Sequence, residues 1–308
     1  MTDVFFSTLP IFLITLLGNI IKNMWFSADD FWRGLEKLSY FILFPCMLFN
    51  YISQVDFVAH DIFKIIVLLM SSVVITAIFV IIYKIRNNID GIVFTSIFQG
   101  SVRYSNYVFF ALSSSLLGIK SLGICTVIAA YMIIFTNVLT IIIFAIYIPH
   151  NQKNNPMMFI KLVTTNPLIM SSAIGFIFNI YDIQINIGIS KCISCLGDSA
   201  LAIGMLVVGA ELQLKSISTH LNYVVFANLI KLIFMPLVTI AIMLTVIPLS
   251  GIEKSIAILY SCVPCANTSY VLSRQLGGDI ESMTSIITYS IIFSVISISI
   301  IMYIAGLT

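Results

Sequence analysis

The stretch at residues 255–278, SIAILYSCVPCANTSYVLSRQLGG, decides how the chain is read. It is long and apolar enough to cross a bilayer, which takes about 20 helical residues. Its middle is wrong for a plain helix. Pro264 has no N–H and drives the residue before it out of α geometry, and Asn267, Thr268 and Ser269 follow closely. A spanning helix that breaks at mid-depth leaves carbonyls free on one side of the break and N–H groups on the other. Hydrocarbon satisfies neither, so such a break must be buried in protein or line a watery cavity. A second stretch, GIVFTSIFQGSVRYSNYVFFALSSSLLG at residues 91–118, is interrupted at the corresponding depth by Gln99-Gly100-Ser101, Arg103 and Ser105-Asn106. Gly100 and Pro264 are the expected break points. Two interrupted spans in matching positions point to a transporter binding site.

The rest of the chain fits a polytopic membrane protein. Of its 308 residues 60% are hydrophobic and 9% charged, against about 25% charged in soluble domains. With a formal net charge of +2 and no basic cluster, nothing points to nucleic acid. The first apolar run lacks a basic n-region and a small-residue cleavage site, so it reads as a span rather than a signal peptide.

Ten spans are expected, at about residues 4–21, 35–51, 63–83, 91–117, 122–148, 166–180, 192–214, 222–247, 255–278 and 280–305. The sequence WFSADDFWRGLEK at residues 25–37 reads equally as a short interfacial helix capped by Ser27 or as a polar loop. The polar connection at residues 149–164 divides the chain into 1–148 and 165–308, each with five spans and each with its broken member fourth. An odd number of spans per half turns the halves over relative to each other, an inverted repeat. Lys22, Arg33, Lys37, Lys84, Arg86, Lys153, Lys161, Lys215 and Arg274 fall on one side, and Lys64, Lys120, Lys191 and Lys254 on the other. The positive-inside rule makes the first side cytoplasmic and puts both termini outside the cytoplasm, with the cell inner membrane as the expected location.

Six segments in order resemble the auxin efflux carrier family, within the wider group of bile-acid, arsenite and riboflavin transporters. They are FPCMLFNYIS at 44–53, SVRYSNYVFFALSSSLLG at 101–118, TNPLIMSSAIGF at 165–176, LAIGMLVVGAEL at 201–212, KLIFMPL at 231–237 and VPCANTSYVLSRQLGGD at 263–279. The resemblance implies an all-α membrane fold of ten helices in two inverted five-helix repeats, with the fourth and ninth crossing at their broken centres. It also implies alternating-access transport of an organic anion such as auxin, malonate or malate, and a homodimer. Relatives often carry proline in the fourth-span break; this chain has Gly100-Ser101 there.

Asn106 and Asn267 head the candidate substrate-binding residues, because a half-helix starting at each would aim N–H groups and a partial charge of about +0.5 at an anion. Each asparagine has two compatible readings, as ligand or as helix cap. Arg103 has two as well: a bidentate contact to a substrate carboxylate, or compensation of the carbonyl end of the first half-helix. Ser105, Thr268 and Ser269 either line a polar cavity or bond their own backbone. Lys231, read mainly as a snorkelling side chain, and Asp198, read mainly as a solvated helix-start residue, are candidates for charge compensation or for carrying a coupling ion. Glu211 is expected at the membrane interface. His60, His150 and His220 fall in connections and carry no assignment. The pairs Cys192/Cys195 and Cys262/Cys265 read as small apolar residues rather than zinc ligands.

No GxxxxGK[ST] loop is present, so a gradient of protons or sodium, or the substrate's own, would drive transport; no other cofactor is expected. The alternative reading is a sodium/proton antiporter of the same architecture, which would need acidic residues at the breaks. An intramembrane enzyme would need a catalytic constellation at depth, and none is legible.

Overall fold

The computed structural model describes residues 2–54, 61–148, 167–212 and 220–306. The described residues are helical, with no strand among them. The connection at 149–164, with His150, and also His60, Asn166 and the residues at 213–219 lie outside them.

Helix α1 (Thr2–Met24) is followed by α2 (Asp29–Leu38), a π-turn (Ser39–Leu43) and α3 (Phe44–Ile52). These last three run on without a gap, so residues 29–37 open the second long helix instead of forming a separate interfacial one. Ser27 does not cap it: Ala28 holds the cap position and makes no side-chain bond. The turn before it is pinned by the buried Trp32, whose Nε1–H donates to the Phe26 carbonyl at 2.7 Å.

Next come α4 (Ile62–Asn87), the pair α5 (Gly91–Val102) and α6 (Asn106–Leu117), and α7 (Leu122–Tyr147). They are followed by α8 (Pro167–Ile180), α9 (Ile187–Ala210), and α10 (Leu221–Leu229), which passes through a π-turn (Ile230–Phe234) into α11 (Met235–Thr245). The pair α12 (Gly251–Cys262) and α13 (Thr268–Leu276) and the last helix α14 (Ile280–Ile304) complete the order. Among the described residues, five continuous helices are long and apolar enough to cross a membrane: 62–87, 119–147, 187–210, 221–245 and 280–304.

Proline explains the two π-turns. Pro45 and Pro236 lack the N–H that closes an α-turn and would press on the carbonyl four residues back. A turn widened by one residue absorbs the misfit; accordingly the Phe44 N–H bonds the Ser39 carbonyl and the Met235 N–H that of Ile230.

The helices pack into two groups. One holds α1, α2–α3, α8 and α9; the other holds α4, α5, α7, α10–α11, α12, α13 and α14, with α6 lying between α12 and the first group. Within the first group α1 and α9 touch backbone to backbone. A Cβ on Gly209 would lie 1.7 Å from the Thr15 carbonyl oxygen, and one on Gly18 2.1 Å from that of Leu206. Small residues permit such approach where no hydrophobic driving force exists between helices. The same contact lets Asn19 donate from Nδ2 to the Gly209 and Leu212 carbonyls at 3.2 and 3.0 Å, tying down the C-terminal end of α9.

Candidate functional site

The two helix breaks meet. α5 stops at Val102; Arg103 is extended (φ −87°, ψ 153°), and Ser105 (φ −78°, ψ 99°) precedes α6. α12 stops at Cys262, and Val263 is extended (φ −65°, ψ 148°), as the residue before Pro264 must be. The Ser105 N–H donates to the Pro264 carbonyl at 2.9 Å, joining one break to the other. Beside it the Cys265 N–H finds the Ser290 hydroxyl of α14 at 2.9 Å. Each bond satisfies a buried backbone group that a broken helix leaves open.

Pro264 lies in its break, but Gly100 does not. α5 runs through Gly100 for two further residues, so the interruption falls at Arg103-Tyr104-Ser105. Gly100 serves packing instead: a Cβ there would lie 2.6 Å from Cγ2 of Ile286 on α14.

Neither asparagine caps its helix through its side chain. Asn106 Oδ1 accepts a long bond, 3.4 Å, from the Tyr260 hydroxyl. Asn267 donates from Nδ2 to Oε2 of Glu211 at 2.5 Å, and its Oδ1 is buried with no partner among the described residues. Ser105, Asn106, Asn267 and Thr268 line one cavity of about 40 Å³, closed by Tyr40, Tyr104, Tyr107, Leu168 and Ala266. A water needs roughly 10–15 Å³ measured this way, so the space takes a few waters or the carboxylate end of a guest. A larger guest has to widen it.

Arg103 is buried behind this wall. Its Nη1 donates to Gln99 Oε1 at 3.0 Å and its Nη2 to Asn137 Oδ1 at 2.9 Å and Thr268 Oγ1 at 3.1 Å. Gln99 in turn donates to the Ser273 hydroxyl at 2.8 Å. One guanidinium therefore binds the end of α5, the middle of α7 and the start of α13.

Lys231 does not snorkel. It is fully buried, with Nζ 3.2 Å from the Tyr104 ring centroid and 3.5 Å from Met235 Sδ. Tyr104 is a wall residue of the small cavity, so Lys231 stands one ring away from it. Neither cation has an acidic partner within ion-pair distance among the described residues. A lone charge at membrane depth costs at least ~2.5–3.5 kcal/mol on insertion scales, and this site holds two basic side chains.

The other candidates lie elsewhere or act differently. Ser269 is fully buried, with its hydroxyl 3.7 Å from Cys265 Sγ, and lines neither large nor small cavity. The Thr268 and Ser269 hydroxyls thus accept from side chains, those of Arg103 and Cys265. Asp198 is not at a helix start: α9 begins at Ile187 behind an Asn186 cap, and Asp198 sits exposed in mid-helix, away from the breaks. His220 precedes α10, its ring centroid 6.1 Å from that of Tyr223.

The residue that sequence reasoning missed is Glu211. It follows α9 directly, half-buried, and reaches the crossing through Asn267. It lines a second cavity of about 370 Å³, together with Lys22, Arg33, Lys37 and Arg274. Asn267 lines both cavities. An acid one residue past a Gly-Ala pair looks like any interfacial end of a span; only the α1–α9 contact, which sets where that end points, distinguishes it.

A family profile described as membrane transport protein matches residues 3–302, nearly the whole chain. The chain belongs to the auxin efflux carrier family. It is a multi-pass membrane transporter, and the segments that resemble the family lie largely within its matched residues. The carrier's crossing is built from two of those segments, 101–118 and 263–279. No individual protein among curated sequences matches this carrier.

Proposed function

We propose that the protein is a secondary carrier for a small organic anion, working by alternating access. The observation that carries this reading is the sign of the crossing. Two helices begin there, α6 and α13, each with a positive dipole end. Two buried basic side chains, Arg103 and Lys231, stand behind the walls without an acidic partner among the described residues. Asn106, Asn267, Ser105 and Thr268 offer polar side chains to whatever enters. A carboxylate supplies the missing charge and accepts from these donors. On this reading ten spans form two inverted five-helix repeats, and the two packing groups move against each other around the site. Both termini lie outside the cytoplasm of a cell inner membrane, and the larger cavity opens to the cytoplasm, where its Lys22, Arg33, Lys37 and Arg274 were expected.

Cation antiport is less well supported, because the small cavity's wall holds no carboxylate among the described residues. The test is a thermal-shift screen of purified protein against mono- and dicarboxylates and against sodium. A ligand that binds only the folded state raises its melting temperature. Stabilisation by carboxylates and not by sodium chloride supports the anion carrier; stabilisation by sodium alone overturns it.

A further inference from the structure

The Glu211–Asn267 hydrogen bond has the form of a ligand contact, not of a core contact. Glu211 ends α9 in the first packing group, and Asn267 opens α13 in the second, so the bond crosses between groups. It stands at the junction of the two cavities, since Asn267 lines both and Glu211 only the larger. The amide is half-used: Nδ2 is taken, and the buried Oδ1 is without a partner among the described residues. What occupies Nδ2 is a carboxylate at the start of a half-helix, the chemistry expected of an organic anion at this place.

We propose that Glu211 is the carrier's internal occupant of its own anion site. Its carboxylate holds the Asn267 amide until an organic anion takes that donor, and the displaced Glu211 then takes up a proton from the water of the larger cavity. This rests on the organic-anion reading above. The proton step balances simply: one carboxylate oxygen gains a proton from solvent, and no other bond changes.

The charged surroundings fit this role. The larger cavity also holds the acids Asp29 and Glu36 and the cations Lys22, Arg33, Lys37 and Arg274. Asp29 is engaged with Lys22 at 3.1 Å, and Arg33 lies 3.7 Å from Asp30. Tyr270 on α13 lines the same cavity, and Tyr107 on α6 lines the smaller one. No cation pairs with Glu211 within ion-pair distance among the described residues, and its hydrogen bond there is to Asn267. Once a second carboxylate arrives, two like charges share one site, and that arrangement favours a proton on one of them. Breaking the bond also frees the two groups to move, which links occupancy to the change of access.

The test measures binding and proton uptake on the purified full-length carrier, with malonate, malate and indole-3-acetate as probes. The range is about pH 6.5 to 8.5, where the probes' carboxylates stay largely ionised. At the alkaline end of this range wild type should take up protons from weakly buffered solution as a probe binds, and its affinity should fall as pH rises. Glu211→Gln should bind about tenfold more tightly at the alkaline end, because a neutral amide competes less than a charged acceptor. The variant should show no proton uptake and little pH dependence. Binding by wild type without proton uptake, at an affinity that Glu211→Gln shares across the range, overturns the proposal while leaving the anion reading intact. Binding of no carboxylate by either protein overturns both. If Glu211→Gln does not fold, the proton uptake of wild type alone decides.

Discussion

Arg103 joins three helices at the crossing, with acceptors on α5, α7 and α13. An arginine inside an interrupted apolar run announces a site, and the structure sets it at the break. Its acceptors were not readable: Asn137 lies in the middle of the apolar run at 122–148, and Thr268 is 165 residues away. The guanidinium holds α5, α7 and α13 together and supplies charge to the crossing at once. Arg103→Gln removes the charge and should lower uptake of a labelled carboxylate into proteoliposomes about tenfold or more. Arg103→Lys should recover part of that loss, since the ammonium keeps the field while losing the planar fork. Equal uptake by wild type and Arg103→Gln, at matched reconstitution, would confine Arg103 to holding the helices. Glu211, expected at the membrane interface, gave no sign in sequence of its bond to Asn267. Nothing in its neighbours in sequence says that α9 lies backbone to backbone against α1, and that contact fixes where the acid ends.

At the scale of elements, the breaks were the most readable feature of the chain. Pro264 and the polar residues after it mark one break, and the structure interrupts the helix at 263–267. The first break was placed about three residues early, because glycine is a weak stop signal compared with proline. Beyond the end of α5 the Ser105 N–H pairs with the Pro264 carbonyl, a tertiary bond invisible to local pattern. Another tie at the crossing is Ser290, whose hydroxyl accepts from the Cys265 N–H. Ser290→Ala leaves that buried donor open and should destabilise the protein by roughly 1–3 kcal/mol, measured as a lower midpoint of thermal or denaturant unfolding. In the first group, Gly18→Ala sets a methyl against the Leu206 carbonyl and should force α1 and α9 apart. Overpacking of this kind costs about 1–3 kcal/mol, and the same unfolding measurement checks it. The stretch 25–37, which read equally as a short interfacial helix or a polar loop, contributes from residue 29 the amphipathic start of a continuous helix that passes Pro45 through a π-turn.

For the whole molecule, the first packing group meets α6, which lies between the groups, at contacts such as the Phe44 and Tyr107 rings, 4.5 Å apart between α3 and α6. If the groups move against each other, a covalent bridge there arrests transport. Phe44→Cys combined with Tyr107→Cys, in a background without the native cysteines, should lose carboxylate uptake when cross-linked by a short thiol reagent. The unlinked double variant serves as the reference. Undiminished uptake after complete cross-linking would rule out relative movement at this seam. Composition and six ordered segments sufficed to place the chain among membrane transporters; the grouping of helices, which depends on glycine contacts far apart in sequence, did not show in any one stretch. The Ser105–Pro264 bond has one more implication, for synthesis. A ribosome that has released only the first 148 residues has put an amide donor into place whose acceptor is not yet made. The pocket therefore cannot mature in a nascent first half; it closes only after both halves have been inserted, making the binding centre the last part of the protein to be finished.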